Sequence, residues 1–230
     1  KILVPNSLDQ MTDLQKLILA TISYYDLFDF VLTSEEIKKY LVAPAFFNMS
    51  TSHVGILNSG AVDMELYSLV NTEQLLLIDG YYTFPKREHL APLRTRWDKI
   101  TVKKMRRARL ASYIISVIPY IQAVFASGSL ALGNTDYESD LDLFIIAQSG
   151  RIWTARFLTN AVFDILGWKR KPSHKVAPEK LCLNHWITDR YLGIKNQNVF
   201  TARVYSHLIP LYLRESKIVH NFLQYDFYLL

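Results

Sequence analysis

The sequence predicts an α+β protein in which a mostly helical first part precedes a mixed β-sheet flanked by helices. Three observations predict it. Apolar residues near the start recur at helical spacing, as in Leu14, Leu17, Ile18 and Ile22. Two short β-prone runs, Leu75 to Ile78 and Tyr81 to Phe84, flank Asp79-Gly80. Three apolar runs of strand length, Ile121 to Ala126, Leu141 to Ala147 and Leu181 to Ile187, then alternate with loop and helix signals.

The first helix runs from Asp13 to about Phe28. Thr33-Ser34-Glu35-Glu36 reads as a capping box that opens a second helix ending near Leu41: the Thr33 hydroxyl can accept from the Glu36 amide while that carboxylate reaches back. A looser polar stretch, Val42 to Ser59, leads to a third helix from about Val62 to Leu69. Asp79-Gly80 then signals a type I′ hairpin turn. Helices ending in a hairpin are the order of a winged-helix domain, assigned here to residues 1–90. Its presumed recognition region, Asn58 to Leu69, carries Asp63 and Glu65 and no Lys or Arg, a poor match to phosphate and base contacts.

Residues 91–118 read as a linking helix, about Pro92 to Val117, ending before Pro119. Lys99, Lys103, Lys104, Arg106, Arg107 and Arg109 crowd it, beside an apolar face of Ile100, Leu110, Tyr113, Ile114 and Val117. Such a stretch (99–109) offers contact to nucleic acid or triphosphate, or simply a solvated face. Residues 119–230 form the remaining domain: strand Ile121 to Ala126, a Gly-Ser turn, strand Asp140 to Ala147, helix Ile152 to Leu166, the polar link Lys169 to Lys180, strand Leu181 to Ile187, and helices Val199 to Tyr212 and Lys217 to the end.

The chemistry concentrates in Gly128 to Phe144, GSLALGNTDYESDLDLF. Asp140 and Asp142, two apart in a strand, project to one face with Cα atoms roughly 6.5–7 Å apart, so both reach one spot. Asp142 lies between Leu141 and Leu143, where a buried carboxylate needs a compensating cation. Gly128 permits close backbone approach, and amides opening a helix after Ser129 suit a phosphate.

At these residues, Gly128-Ser129 and then Asp140-Leu141-Asp142 at the start of an apolar strand, the chain resembles the DNA polymerase beta-like nucleotidyltransferase superfamily. Ser139 before the Asp pair, and Gly150-Arg151-x-Trp153-Thr154-x-Arg156 after the strand, are similar to small bacterial nucleotidyltransferase-domain proteins. The match spans roughly Ile121 to Gly167. The resemblance implies a nucleotidyltransferase-like mixed sheet, with Mg²⁺ (or Mn²⁺) on Asp140 and Asp142, the catalytic pair, and a nucleotide on Gly128, Ser129, Ser139, Arg151 and Arg156. It implies transfer of a nucleoside monophosphate from an NTP donor to a hydroxyl on a small molecule, RNA or protein, with release of pyrophosphate. Many members add a third carboxylate from a later strand. Here that strand offers Asn184, a possible metal ligand but no general base, with Asp189 and Asp164 as weaker substitutes. The alternative is a non-catalytic nucleotide-sensing protein, or a winged-helix regulator binding DNA or protein. Trp153 is expected to pack under the sheet or stack on a base.

Composition excludes several other classes. At 230 residues with 50% hydrophobic content the chain can bury a substantial core, and its net charge of +5 is modest. The single cysteine, Cys182, forbids an internal disulfide and reads as an inert core residue. No apolar run is long enough to span a membrane and no leader pattern opens the chain, so a cytoplasmic location is expected. The ends, Lys1 and Phe-Tyr-Leu-Leu, are those expected of a fragment or of a trimmed chain. The six histidines and one cysteine make no zinc spacing, and His185 is expected to face away from Asn184 and from the site.

Overall fold

A computed structural model describes residues 11–41, 59–170, 178–192 and 204–215. The chain divides into two compact units, the first ending at Thr95 and the second beginning at Arg96. Together they make an α+β fold with a mixed sheet.

The first unit contains α1 (Asp13–Asp26), α2 (Ser34–Tyr40), α3 (Ser59–Asn71), β1 (Leu76–Ile78) and β2 (Tyr81–Thr83). Both N-termini that carry capping boxes do so through side-chain chemistry. Thr12 with Gln15 caps α1, and Thr33 with Glu36 caps α2. The β1–β2 turn has positive φ at both Asp79 (51°) and Gly80 (85°), the signature of type I′. Leu17, Ile18, Ile22, Ile37, Leu66 and Leu69 form the core. The acidic groups of α3 are spent within the unit: Asp63 accepts from Ser34 and pairs with Lys38 at 2.9 Å, and Glu65 accepts from Thr12 and Gln15. The expected loose stretch at 42–58 lies outside the described residues.

Helix α4 (Leu90–Ser116) runs through the division. Within the second unit its inward stripe is Ile100, Lys104, Ala108, Ala111 and Ile115. The expected apolar face is thereby corrected: Leu110, Tyr113 and Val117 are exposed, because small residues and the Lys104 stem let the helix lie close to the sheet. The sheet comprises β3 (Ile121–Ala126), β4 (Leu141–Ala147), β5 (Leu181–Thr188) and β6 (Ile209–Leu213) in the order β5-β4-β3-β6. β3 is antiparallel to β4 and β6, while β4 and β5 are parallel. The parallel pair is joined through α6 (Ile152–Ile165), a crossover that returns the chain to the end where β4 began.

One element differs from expectation. Ile209–Leu213, expected at the end of a helix from Val199 to Tyr212, is a strand paired with β3. Its partner lies far earlier in the chain, so local periodicity carries no trace of it, and Pro210 is tolerated because β6 is an edge. The expected helix from Lys217 lies outside the described residues. One face of the sheet packs Leu141, Leu143 and Ile145 against α4 and α6, through Ala111, Ile115, Ala155 and Phe163. The other packs Phe144 and Ile146 with Phe125, Leu192 and Tyr205. Among the described residues no helix is long and apolar enough to cross a membrane.

Candidate functional site

The site grows from the alternation in β4. Leu141, Leu143 and Ile145 belong to the helix-covered face, so Asp140 and Asp142 fall on the side of Phe144 and Ile146, at the strand's start. Asp142 is locked into the sheet by its carbonyl, which accepts from the Ser127 amide at 3.0 Å. The next residue, Gly128, opens the short helix α5 (Gly128–Leu132) with φ +59°. A Cβ there would lie 2.5 Å from Asp142 Oδ2 and 3.1 Å from its Cγ. Gly128 therefore makes room for the carboxylate itself, and only through it for anything the carboxylate holds.

The β5 residue beside Asp142 is Cys182, its partner in the parallel register. One donor atom each from Asp140, Asp142 and Cys182 lie within 4.8 Å of one another. Burial, reinforced by the neighbouring Asp140 charge, raises the Asp142 pKa above the ordinary carboxylate range. Burial and a hydrogen bond to Asp142 push the Cys182 thiol up to about 12, so it is a neutral donor. The sequence reading of Cys182 as an inert core residue is corrected in its placement: it is half-buried and faces the carboxylates, although its raised pKa does keep the thiol unreactive as a nucleophile. Asn184, two residues on, is exposed, and its amide donates to Cys182 Sγ at 3.4 Å.

Arg170 supplies the local positive charge. Its guanidinium donates to Asp140 Oδ2 at 2.5 Å, and this bond raises its own pKa. The backbone places it there: Arg170 N donates to Leu181 O, and Leu181 N to Trp168 O, tying the segment after α6 to the start of β5. The cations singled out by sequence stand elsewhere. Arg151 precedes α6, beyond the far end of β4, and that strand carries the chain roughly 17 Å from Asp142 to Ala147 at about 3.3 Å per residue. There Arg151 lies over the Tyr120 ring and Arg156 over Trp153. Trp153, expected to pack under the sheet or stack on a base, is 77% exposed. Asp189 is at the far end too, accepting from the Ser149 amide, and Asp164 pairs with Lys169. His185, expected to face away from the site, is corrected: a register shift between the Asp142 and Phe144 pairings turns it to the Phe144 side of the sheet, the side of the carboxylates. There its ring packs edge-on against Phe144 and its Nε2 lies 2.6 Å from Tyr205 Oη, with its pKa lowered by burial.

The loop that delivers Asp140 is fastened from α4. Lys104, 2% exposed, donates to the carbonyls of Asp136 (2.5 Å) and Ser139 (2.6 Å). Burial lowers its pKa, partly opposed by the Asp136 carboxylate. Thr101 reaches Gly133 O and Thr135 Oγ1. Ser139 is engaged inside the loop, its amide and hydroxyl both donating to Asp136 Oδ1. Lys103 and Arg107 pair with Glu179, and Arg107 stacks on Trp168. These groups, with Arg106 and Leu110, line a cleft of about 340 Å³. Lys104 could not have been separated from its basic neighbours by composition. Its i, i+4 spacing from Ile100 and Ala108 was the available signal.

No family model matches the chain, and no curated protein matches it. A solved structure described as the crystal structure of the toxin-antitoxin with AMP-PNP is similar over 51% of this chain and 81% of that one, at 13% identity and a TM-score of 0.31, a level at which likeness carries no argument.

Proposed function

We propose that the second unit is a metal-dependent nucleotidyltransferase that moves a nucleoside monophosphate from an NTP to a hydroxyl acceptor, releasing pyrophosphate. The observation that carries this reading is the convergence of Asp140 and Asp142 on one face, with Gly128 closing directly against Asp142. The two carboxylates, with oxygens within 4.8 Å of one another, suit a divalent cation. Bound there, such an ion (Mg²⁺ or Mn²⁺ for phosphoryl chemistry) neutralises charge on the phosphates and the leaving group.

The chain's own residues have separate tasks. Asp140 and Asp142 hold the ion and are the proposed catalytic pair. Gly128 and Ser129 form the turn at which the phosphates would bind. Lys104 and Ser139 are positioning residues, which set the loop that presents Asp140. Arg170, 36% exposed at its side chain, can leave Asp140 for a phosphate oxygen as its planar fork allows. Asn184 acts through Cys182. Arg151 and Arg156, at the far end of β4, could reach only the distal part of a nucleotide. The cleft beside Lys103 and Arg106 is the proposed approach for an anionic acceptor, including nucleic acid along 99–109.

One observation favours a second reading, a nucleotide-sensing protein without turnover: the group beside the Asp pair is a neutral thiol, not a carboxylate able to take the acceptor's proton. In the first unit, the winged-helix-like order with acidic groups paired between its helices fits protein contact better than DNA. The deciding experiment incubates the chain with each α-labelled NTP, Mg²⁺ or Mn²⁺ and cell extract. Label on RNA, protein or small molecules that disappears in Asp140→Asn and Asp142→Asn supports transfer. No label, with nucleotide binding indifferent to both substitutions, sinks the enzymatic reading.

A further inference from the structure

Building on the reading of Asp140 and Asp142 as a metal site, we propose that Cys182 is its third donor and that the site therefore selects thiolate-accepting divalent ions of the zinc class over Mg²⁺. The placement of the sulfur comes from the sheet, not from a loop. Asp142 and Cys182 are register partners in parallel strands, and Leu181 and Leu183 pack into the opposite, helix-covered face. The thiol is therefore held on the same side as both carboxylates, its donor within 4.8 Å of theirs.

The donor chemistry separates the candidate ions. Mg²⁺ takes oxygen ligands at about 2.0–2.1 Å in near-octahedral geometry and has no use for sulfur. Zn²⁺ accepts carboxylate oxygen and thiolate sulfur at roughly 2.0–2.3 Å, and three protein ligands with a fourth position open is its catalytic arrangement. Bonds of that length put tetrahedral donors about 3.5 Å apart, so the three groups need to close by roughly an ångström. Rotation of short side chains supplies that movement once Arg170, a partly exposed group, turns off Asp140. The thiol now hydrogen-bonds Asp142; on binding, its S–H bond is replaced by an S–metal bond and the proton leaves to solvent.

Asn184 gains a role in this arrangement. Its amide donates to Cys182 Sγ at 3.4 Å, the kind of outer hydrogen bond that orients a metal-binding sulfur. It supports the third donor without being one. The substitution of sulfur for a carboxylate also changes what the site can hold beside a triphosphate, because each ion that engages Cys182 leaves fewer open positions for phosphate oxygens.

The test is direct because Cys182 is the one cysteine in the sequence. The full chain is titrated with Co²⁺ and followed by the thiolate-to-cobalt charge-transfer absorption, while Mn²⁺ binding is read separately by water-proton relaxation. The expected result is a saturable band at one equivalent, abolished by Zn²⁺ and untouched by a large excess of Mg²⁺. Cys182→Ser should lose the band and bind Zn²⁺ more than about 100-fold more weakly, yet keep Mn²⁺ on the carboxylates. Asn184→Ala should fall in the roughly 10- to 100-fold range of an outer-shell loss. Mn²⁺ binding that needs Asp142 but comes with no cobalt band in the wild-type chain overturns the thiolate inference and leaves the carboxylate site standing. Failure of every ion to bind overturns both. The wild-type band decides the matter even if a variant does not fold.

Discussion

Replacing Gly128 by alanine tests the closest contact in the site. Its new Cβ would sit 2.5 Å from Asp142 Oδ2, 3.1 Å from Cγ and 3.3 Å from Cβ, at a φ of +59°. Left-handed backbone costs a residue with a Cβ roughly 1–2 kcal/mol, and forcing a methyl into a filled space costs about 1–3 more. Together these come to roughly 2–5 kcal/mol, a fall in Tm of about 5–15 °C at about 3 °C per kcal/mol. Gly150→Ala is the control. Gly150 has φ +77° with nothing within 4 Å of an added Cβ, so it bears the backbone cost alone. The assay is thermal and urea denaturation of both variants, with Mn²⁺ binding measured alongside. If Asp142 rotates away to relieve the clash, part of the stability loss is recovered but the carboxylate leaves the site. Mn²⁺ affinity then drops about tenfold or more, an effect worth at least ~1.4 kcal/mol. A Gly128→Ala chain no less stable than Gly150→Ala and with unaltered Mn²⁺ affinity would refute the argument that Gly128 exists to admit Asp142.

Two further substitutions probe charge. Because burial and Asp140 raise the Asp142 pKa in the folded chain, its contribution to stability is fully present below the ordinary carboxylate range and is lost as pH rises through the raised value. Without metal, Asp142→Asn should therefore melt above the wild type at pH 7, with the gap closing below about pH 4; a gap that does not vary with pH contradicts the assignment. Lys104→Met keeps the buried stem but removes the donor to Asp136 O and Ser139 O. Charged donors contribute about 1.5–3 kcal/mol each, and relief of the buried ammonium returns part of that, so a net loss of about 2–4 kcal/mol is expected in urea. Amide exchange over 136–140 should accelerate, and unchanged exchange would show that Lys104 does not hold the loop.

Short-range chemistry was legible along the chain. The Thr33–Glu36 box, the Asp79-Gly80 turn, the bounds of β3 and the placement of Asp140 and Asp142 on one face all follow from interactions within a few residues, where spacing and residue type dictate geometry. The non-local parts were not legible. β6 exists because β3 offers it a pairing edge; Pro210 already argued locally against a helix through Ile209 to Tyr212, but nothing near it in sequence names the strand partner. Lys104 belonged by composition with its basic neighbours, yet the loop carbonyls behind α4 draw it inside.

The Gly128 to Asp142 run thus settled where the chemistry gathers, since a strand's two-residue period needs no distant partner to aim two carboxylates together. Which groups join them was decided by the crossover. Because β4 and β5 are parallel, α6 must begin at the far end of the sheet and end at the near one, carrying Arg151 away from the carboxylates and bringing Arg170 to Asp140. The same parallel register sets Cys182, not Asn184, beside Asp142.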